Sequence, residues 1–407
     1  MSKKEEDIII KSPTRDLFAF SKLVPERKKR IEKASSEPIT SDPMNELASR
    51  IHPKHQYLII KEIKDETKST KTFKLIPDPD SITKELAFFR AGQYLSFKVE
   101  INGVVITRPY SISSSPNDAL NGFYEITIRK ADDGFLTPYI WNNWKVNTKL
   151  VCSEPTGRFY YDDLRDLKKI IGIGGGSGIT PFRSMAKQIA EEKLDINLTI
   201  IYGSSEEEDI IFYHELKELE RKYPDKIKVI IVLSCEEVSL EGCEQGFITA
   251  DIIKKYVDIN NSSFFICGPQ IMYDFVDKEL EKLNLPLNRI RKEVYGEIKE
   301  IVNFTGFPKE VAERIFKIKV HIGNQIKEIP ALATETVTIA MERANLAPPS
   351  SCRSGECGLC RSLLISGKIF ISPVNDGRRA ADKKFNFFHP CSSYPISDLE
   401  IIVPRSS

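Results

Sequence analysis

The chain has 407 residues, of which 41% are hydrophobic and 29% charged, and its formal net charge is +1. That length predicts two to four domains, and the near-neutral charge gives no indication of nucleic-acid binding. The sequence has no run of about 18 apolar residues and no apolar core near the N-terminus, so we expect neither a membrane span nor a secretory signal. Eight cysteines without such a signal favour a reducing compartment, and we expect a cytoplasmic protein.

Residues 1–52 are predicted to be a charged N-terminal extension. Prolines break it into short pieces, and residues 26–30 (Glu-Arg-Lys-Lys-Arg) are a run of charges. Such a composition favours a partly ordered strap that lies on the other domains. A docking arm for a partner protein or for an acidic surface is the alternative.

Residues 53–162 have the pattern of an antiparallel β-barrel. Short β-prone runs, some alternating apolar and polar residues, are separated by turn residues, which is typical of sandwiches and barrels. Strands are predicted at residues 57–60, 72–76, 93–99 and 123–128.

A four-residue motif in this region, Arg108-Pro109-Tyr110-Ser111, has the side chains that a flavin needs. A cation can bind the pyrophosphate, an aromatic ring can lie against the isoalloxazine, and a hydroxyl can donate a hydrogen bond near N5. Residues 134–137 would add backbone amides and the Thr137 hydroxyl to the pyrophosphate site. Taken alone, the motif is also compatible with an ordinary strand followed by a turn.

Residues 163–297 alternate strands with helices, which predicts a parallel α/β sheet with crossover helices. Strands are predicted at residues 169–173, 198–203, 227–233 and 264–267, and helices at residues 182–193, 213–222 and 273–283. The glycine-rich loop Gly174–Pro181 joins the first strand to the first helix, where backbone amides favour an anionic pyrophosphate. Because the loop lacks the spaced G-x-G-x-x-G fingerprint, a purely structural turn is the alternative.

The sequence Cys267-Gly268-Pro269 ends a buried strand of the same region. Ligands bind at the carboxyl ends of parallel strands, so a thiol in this place would lie against a nicotinamide ring. A cysteine at a strand end is by itself more often a small buried hydrophobic residue.

Residues 298–315 are predicted to be a linker, and residues 316–407 a small domain with both strands and a helix. Its predicted elements are a strand at residues 317–322, a helix at residues 336–346 and a last strand at residues 398–403.

Four cysteines of this last domain have the spacing of metal ligands. Cys352, Cys357 and Cys360 are spaced C-x4-C-x2-C, and with the distant Cys391 they match the plant-type pattern of a [2Fe–2S] cluster. A zinc site and a disulfide framework are the alternatives. Zinc sites usually pair two C-x2-C units, and only one such unit is present here.

The order of the three earlier motifs, ending with Cys-Gly-Pro-x-x-Met at Cys267–Met272, resembles the ferredoxin–NADP reductase superfamily. With the cysteine module after them, the chain is similar to the phthalate dioxygenase reductase and phenylacetate hydroxylase reductase type over about residues 55–403. The resemblance implies a multidomain protein: an antiparallel β-barrel flavin domain, an α/β nucleotide domain and an α+β ferredoxin domain of the β-grasp fold.

The resemblance also implies roles for individual residues. The flavin would be held by Arg108, Pro109, Tyr110, Ser111 and Thr137. The nicotinamide nucleotide would be held by Gly175, Gly176, Ser177, Gly178, Thr180, Pro181, Ser204, Gly268 and Pro269. The catalytic residues at the site of hydride transfer would be Ser111, Cys267 and Glu293. Glu293 begins an acid-x-aromatic sequence that ends at Tyr295, and a surface carboxylate is the alternative for it.

NADH is the expected nucleotide, and FAD the expected flavin. Residues 206–209 (Glu-Glu-Glu-Asp) follow a predicted strand and would repel the 2′-phosphate of NADPH, whereas a free 2′-hydroxyl can donate to a carboxylate. FAD is used by most of the superfamily, but FMN is the alternative because phthalate dioxygenase reductase uses it.

The expected activity is electron transfer from NADH through flavin and cluster to a partner redox protein, as the reductase component of an oxygenase-like system. The alternatives are another acceptor, such as a hydroxylamine-reductase-type or anaerobic reductase, and a non-catalytic redox sensor.

Two local departures from the family bear on the partner. Leu359 replaces the small hydroxyl residue common between the second pair of cluster cysteines. Residues 376–384 carry four bases against two acids, so an acidic docking face is expected on the partner, with a solvated loop as the alternative.

Overall fold

The computed structural model describes residues 14–37, 41–131, 134–235, 240–294, 296–298 and 300–404. The chain divides into two compact units, Met1–Leu47 and Ala48–Ser407. Among the described residues, none of the helices combines the length and the apolar character that a membrane crossing requires.

The N-terminal extension contains two helices, α1 (Thr14–Glu32) and α2 (Pro43–Ile51). The sequence predicted no helix here because prolines interrupt it. Pro43 is the first residue of α2, where a proline costs no hydrogen bond, whereas Pro25 removes one backbone hydrogen bond inside α1. The role of the extension as a strap or a docking arm stays a prediction.

The first domain of the larger unit is an antiparallel β-barrel, as predicted. Its strands are β1 (Gln56–Thr67), β2 (Thr70–Pro77), β3 (Tyr94–Ile101), β4 (Val104–Ser111), β5 (Tyr124–Arg129) and β6 (Lys149–Cys152). They pair in the order β4-β3-β6-β1-β2-β5, and a bridge between Ile112 and Ile126 connects the segment after β4 to β5. Alternate strand residues, such as Leu58 and Phe97, fill one apolar core.

Two short helices connect strands of the barrel, α3 (Pro116–Leu120) and α4 (Leu136–Asn143). The sequence analysis missed α4, which has no side-chain cap at its N-terminus. Burial of Leu136 and Ile140 in the barrel core stabilises this short helix instead. Thr137 therefore lies in the first turn of a helix rather than in a loop.

The second domain is a parallel α/β sheet, also as predicted. Its strands are β7 (Lys169–Gly175), β8 (Asn197–Ser204), β9 (Ile227–Leu233), β10 (Glu244–Gln245), β11 (Ser262–Cys267) and β12 (Ile290–Glu293). Its helices are α5 (Thr180–Glu192), α6 (Tyr213–Lys222), α7 (Ala250–Tyr256) and α8 (Gln270–Glu281). The strands pair in the order β10-β9-β8-β7-β11-β12, and an apolar core lies on each face of the sheet.

The third domain has the mixed sheet of the β-grasp fold. Its strands are β13 (Ile315–Ile322), β14 (Gln325–Leu332), β15 (Ser362–Ser366), β16 (Ile369–Ile371), β17 (Phe387–Phe388), β18 (Ser393–Pro395) and β19 (Leu399–Val403). Its helices are α9 (Val337–Arg343) and α10 (Ala380–Lys384). The main sheet has the order β14-β13-β19-β15-β17, with β13 and β19 parallel, and α9 packs on its core.

The predicted linker packs tightly along the third domain. Ile301, Phe307 and Val311 form an apolar cluster with Tyr394. The Tyr394 hydroxyl donates a hydrogen bond to the carbonyl oxygen of Ile298 (3.0 Å). This segment is therefore part of a packed interface, which its mixed composition did not indicate.

A buried arginine joins the barrel to the parallel-sheet domain. Arg183 of α5 is 6% exposed, and its Nη1 donates to Glu125 Oε2 (2.6 Å) and to the carbonyl oxygen of Ser113 (3.0 Å). Its Nε donates to Glu215 Oε2 of α6 (2.9 Å), and its guanidinium lies 4.5 Å from the ring centroid of Phe212. Because Ser113 and Glu125 belong to the barrel, this side chain fixes one domain against the other.

Replacing Arg183 with methionine should lower the stability of the protein. The change leaves two carboxylates in the interface without their cation, which costs about 3–5 kcal/mol for a buried pair. Urea unfolding measures the effect. Lys68→Met is the matched control, since Lys68 pairs with Glu208 across the same two domains but on the surface, and it should change the unfolding midpoint little. Equal shifts in the two variants would contradict the assignment.

Candidate functional site

Three parallel strands bring predicted site residues together at their carboxyl ends. In the strand register, Cys267 of β11 lies between Gly174 of β7 and Glu293 of β12. The strand order reverses between β7 and β11, and parallel sheets bind ligands at such switch points. Glu293 is only 5% exposed, so it is not a surface carboxylate, while Tyr295 lies outside the described residues.

The thiol of Cys267 is enclosed at the end of β11. The residue is fully buried among the apolar side chains of one core of the sheet. Burial, together with the nearby Glu293, raises the pKa of the thiol well above its ordinary value, and a neutral thiol is a poor nucleophile. The place of Cys267 beside a nicotinamide ring stays a prediction.

Close packing leaves no room for a side chain at Gly178 and brings Gly175 and Gly268 against the end of Met272. A Cβ atom on Gly178 would lie 2.0 Å from the carbonyl oxygen of Cys267. A Cβ atom on Gly175 would lie 2.4 Å from Met272 Sδ, and one on Gly268 would lie 2.5 Å from Met272 Cε. The methionine of the Cys-Gly-Pro-x-x-Met motif thus covers both glycines, and the loop backbone stays next to the strand ends.

The remaining predicted nucleotide contacts surround the same strand ends. The Thr180 hydroxyl donates to the carbonyl oxygen of Ser177 (2.9 Å), and Pro181 lies in the first turn of α5. Ser204 ends β8, and Pro269 stands immediately before α8. Gly176 has a φ of +52°, a left-handed conformation that favours glycine.

Tyr273 is a residue of this site that the sequence analysis missed. Its hydroxyl donates to the carbonyl oxygen of Glu293 and accepts from the backbone N–H of Gly268 (3.2 Å). It therefore ties the turn after β11 to the end of β12. Its only sequence signal was its place next to the motif methionine.

The acidic run after β8 is mostly engaged with other parts of the chain. Glu207 accepts a hydrogen bond from the backbone of Leu240 (2.8 Å), Glu208 pairs with Lys68, and Asp209 pairs with Arg129. Glu206 is exposed, and its carbonyl oxygen accepts a hydrogen bond from the Ser204 hydroxyl (3.0 Å).

The barrel motif is divided between the two faces of β4. Arg108 is half-buried and lies 3.6 Å from Glu342 Oε2, and Tyr110 packs on the barrel core with its ring centroid 6.1 Å from that of Phe97. Burial raises the pKa of the Tyr110 hydroxyl, so it stays protonated. Pro109 and Ser111, at the alternate positions of the strand, are buried.

The predicted pyrophosphate contact Thr137, at the start of α4, is hydrogen-bonded to the segment that precedes the helix. Its hydroxyl accepts from the backbone N–H of Ala131 (2.9 Å) and lies 3.3 Å from the Ala131 carbonyl oxygen. Its role towards the flavin stays a prediction.

The thiols of the four cluster cysteines converge. Cys360 Sγ lies 3.4 Å from Cys391 Sγ, the backbone N–H of Cys357 donates to Cys352 Sγ (3.4 Å), and the Cys352 thiol interacts with those of Cys357 and Cys391. Four converging thiols fit a [2Fe–2S] cluster with four cysteine ligands. The amide of Ser354 also points at Cys352 Sγ (3.5 Å), as cluster ligands require.

A cleft of about 1260 Å³ connects all three domains of the larger unit. Thr107 and Thr156 line it from the barrel, Glu293 from β12, and Cys357 and Leu359 from the cysteine loop. Seven lysine and arginine side chains line it against three glutamates, which suits phosphate-bearing cofactors. The exposed edge of the cysteine loop thus faces the ends of the nucleotide strands across one cavity.

Comparisons with known proteins agree with this architecture. Residues 58–161 match the oxidoreductase FAD-binding domain, residues 173–278 the oxidoreductase NAD-binding domain, and residues 320–395 the 2Fe-2S iron-sulfur cluster binding domain. This chain belongs to the ferredoxin–NADP reductase superfamily and carries a C-terminal [2Fe–2S] domain. It is an NAD(P)H-dependent flavoprotein oxidoreductase whose cofactors are FAD, NADH and the cluster.

Similar proteins cover most of the chain. The glycine betaine monooxygenase reductase subunit of Chromohalobacter salexigens is 25% identical, over 86% of this chain and 95% of that protein. The ferredoxin reductase component of the 3-ketosteroid-9-alpha-monooxygenase of Mycobacterium tuberculosis is 29% identical, over 84% and 93%. The NADH oxidoreductase HCR of Escherichia coli is 27% identical, over 76% and 88%. The structure of phthalate dioxygenase reductase superposes with a TM-score of 0.60 at 21% identity, over 86% and 98%.

Substituting alanine for Gly178 should impair nucleotide binding. The new Cβ atom would overlap the backbone of Cys267 and force the loop away from the strand ends. We expect the KM for NADH to rise at least about tenfold, since a displacement near 1 Å at a site can cost about 10²-fold. Gly203→Ala is the control, because its Cβ atom would come no closer than 3.4 Å to a neighbour. Steady-state kinetics with an artificial acceptor and thermal unfolding check both variants, and a similar KM in the two would argue against the packing.

Proposed function

We propose that this protein is the reductase component of a multicomponent oxygenase and delivers single electrons to a partner redox protein. The observation that carries the proposal is the single cleft in which the nucleotide strands, the barrel strands and the cysteine loop meet. Two of the relatives named above are reductase components of monooxygenases, and the chain covers nearly their whole length.

When bound, the cofactors would supply the redox chemistry, which is acceptance of a hydride from NADH and its onward transfer as single electrons. The residues of the chain supply position. The loop at Gly175–Gly178 would hold the nucleotide pyrophosphate, while Cys267 and Glu293 would border the nicotinamide. Arg108, Tyr110 and Ser111 would hold the flavin on β4. No acid–base group is needed for the hydride step, so the contribution of these residues is orientation and exclusion of water.

The cysteine loop is packed directly on the flavin strands. The hydroxyls of Ser351, next to the ligand Cys352, and of Ser96 on β3 are hydrogen-bonded at 2.9 Å. Short and fixed distances are what electron transfer between bound cofactors needs, and this contact supports direct transfer within the chain.

The basic segment before Cys391 gives little support to an acidic docking face on the partner. Arg378 donates to both carboxylate oxygens of Asp376 (2.8 and 3.0 Å), and Lys383 pairs with the same carboxylate at 3.1 Å. Burial alone would raise the pKa of Asp376, but these two bases lower it to about 2. Asp382 pairs with Arg361, which lies outside the segment. Residues 376–384 keep their formal excess of two bases, but Arg378 and Lys383 are engaged by Asp376 within the segment, and we keep only a protein acceptor in the proposal.

The site of action that we propose is the cytoplasm. None of the eight cysteines, all of which lie in the described part of the chain, is joined in a disulfide, as is usual in reducing compartments.

A Cys352→Ser variant should separate the two halves of the electron path. It removes a cluster ligand without touching the nucleotide or barrel strands, so NADH-driven reduction of a dye that accepts electrons from flavin should stay within about twofold of wild type. Cytochrome c reduction should be lost, since the one-electron route through the cluster is broken. Both activities are measured on protein with its flavin content verified. A parallel fall in both, with flavin retained, would refute the linear route.

Glu206 is the carboxylate that we propose to recognise the 2′-hydroxyl of NADH, because it is exposed beside the end of β8. Glu206→Arg should lower kcat/KM for NADH and raise it for NADPH, so that their ratio falls at least about tenfold. Glu208→Arg is the control, since Glu208 pairs with Lys68 of the barrel. A larger change of the ratio in the control than in Glu206→Arg would assign the selectivity elsewhere.

A further inference from the structure

The carboxylate of Glu342 is shared by two arginines from different domains. Glu342 lies on α9 and is 6% exposed. Its two oxygens accept hydrogen bonds from Nη1 and Nη2 of Arg353 in the cysteine loop, at 2.7 and 3.0 Å. Its Oε2 also lies 3.6 Å from Nη1 of Arg108 on β4. One side chain therefore connects the loop that carries three cluster ligands with the arginine predicted to hold the flavin.

The charges around this carboxylate are already balanced. Arg353 is fully buried and also pairs with Glu297, so two arginines face two glutamates. Burial alone would raise the pKa of Glu297, but Arg353 and Arg108 hold it below its ordinary value. The field of Arg108 is partly compensated by these two glutamates.

We infer that Glu342 is a positioning residue that couples flavin retention to the docking of the cysteine loop. The inference rests on the proposed function, because it takes Arg108 as the ligand of the flavin phosphate. A phosphate at Arg108 adds negative charge to a balanced group, so it competes with Glu342 for one guanidinium. Glu342 thus weakens flavin binding, while the same carboxylate holds the cysteine loop against β4. Removing the charge of Glu342 should therefore strengthen flavin retention and weaken the docking of the cysteine loop on β4.

Glu342→Gln tests the coupling in the full-length holoenzyme. The amide keeps the shape of the side chain and removes its charge. Flavin should leave more slowly after dilution, measured by the fluorescence of free flavin, because Arg108 is no longer shared. Reduction of the cluster after anaerobic mixing with NADH, followed by freeze-quench electron paramagnetic resonance, should also slow, because the loop loses its ionic contact with β4. We expect each rate to fall roughly five- to tenfold, the lower range of coupling between linked sites.

Glu335→Gln is the matched control. Glu335 belongs to the same domain, accepts a hydrogen bond from the backbone of Leu332 (2.8 Å) and pairs with Arg343 of α9 (2.5 Å), so it contacts neither arginine of the shared group. Both rates should equal those of wild type. If Glu342→Gln lacks cluster absorbance, Glu342→Asp takes its place. This variant keeps the charge but withdraws it by one methylene group. The rates of flavin release and of cluster reduction should then fall less than the roughly five- to tenfold expected for Glu342→Gln.

The coupling is rejected if the Glu342 variant releases flavin as fast as wild type, or if only one of the two rates changes. It is also rejected if Glu335→Gln shows the same changes, since they would then reflect the charge of the domain as a whole. Failure of the proposed function has a different signature: wild-type protein would not retain flavin, or NADH would not bleach it.

Discussion

Arg353 carries a charge in a fully buried position, and the arrangement of the third domain follows from how that charge is compensated. An ionised guanidinium away from water is stable only beside carboxylates that are equally well placed. Glu342 comes from α9, and Glu297 comes from the segment between the second and third domains. The same pairing therefore sets the course of the cysteine loop, whose backbone has a φ of 60° at Arg353, and fixes the segment that enters the domain. The loop that carries three cluster cysteines is therefore anchored at Arg353 by two carboxylates from other segments.

A buried arginine compensated by glutamates also joins the barrel to the parallel-sheet domain. Arg183 is buried between the barrel and α6 and binds one glutamate from each side. Two such junctions in one unit mean that the relative positions of three domains depend on directional ionic hydrogen bonds as well as on apolar packing. This suits a chain that transfers electrons between bound groups, because the distances between the sites must stay short. It also means that a single lost carboxylate or guanidinium affects two domains at once.

The sequence predicted the strongly patterned parts of the fold well. The helix at residues 213–222 and the strand at residues 227–233 have their predicted bounds, because their apolar periodicity is regular. Elements such as α4, β12 and α10 were missed, since short segments are stabilised by what they pack against. The fold class, the cofactors and the type of enzyme were confirmed, because cluster ligands and glycine turns are local patterns that survive sequence divergence.

The pairings that hold the site together could not be predicted. Arg183 and Glu125 are 58 positions apart, and nothing in either local sequence indicates the other. The acidic docking face expected from the basic segment near Cys391 stays a prediction: the bases could be counted in the sequence, but the geometry that places Asp376 between Arg378 and Lys383 could not be seen there. The spacing of residues along the sequence identifies metal ligands and glycine-rich loops. Which charged side chains pair with each other depends on the tertiary structure.

The place of β19 in the third domain has a consequence for biosynthesis. This strand follows all the others in sequence, yet it lies in the middle of the sheet, between β13 and β15. During synthesis on a ribosome, the hairpin of β13 and β14 would emerge before β19. The free edge of β13 would stay unpaired until residues 399–403 had been synthesised. Cys391 arrives in the same late segment. All four cluster ligands are therefore present only once Cys391 has been synthesised, and a chain stopped before Cys391 would carry three of them in a sheet that lacks its central strand.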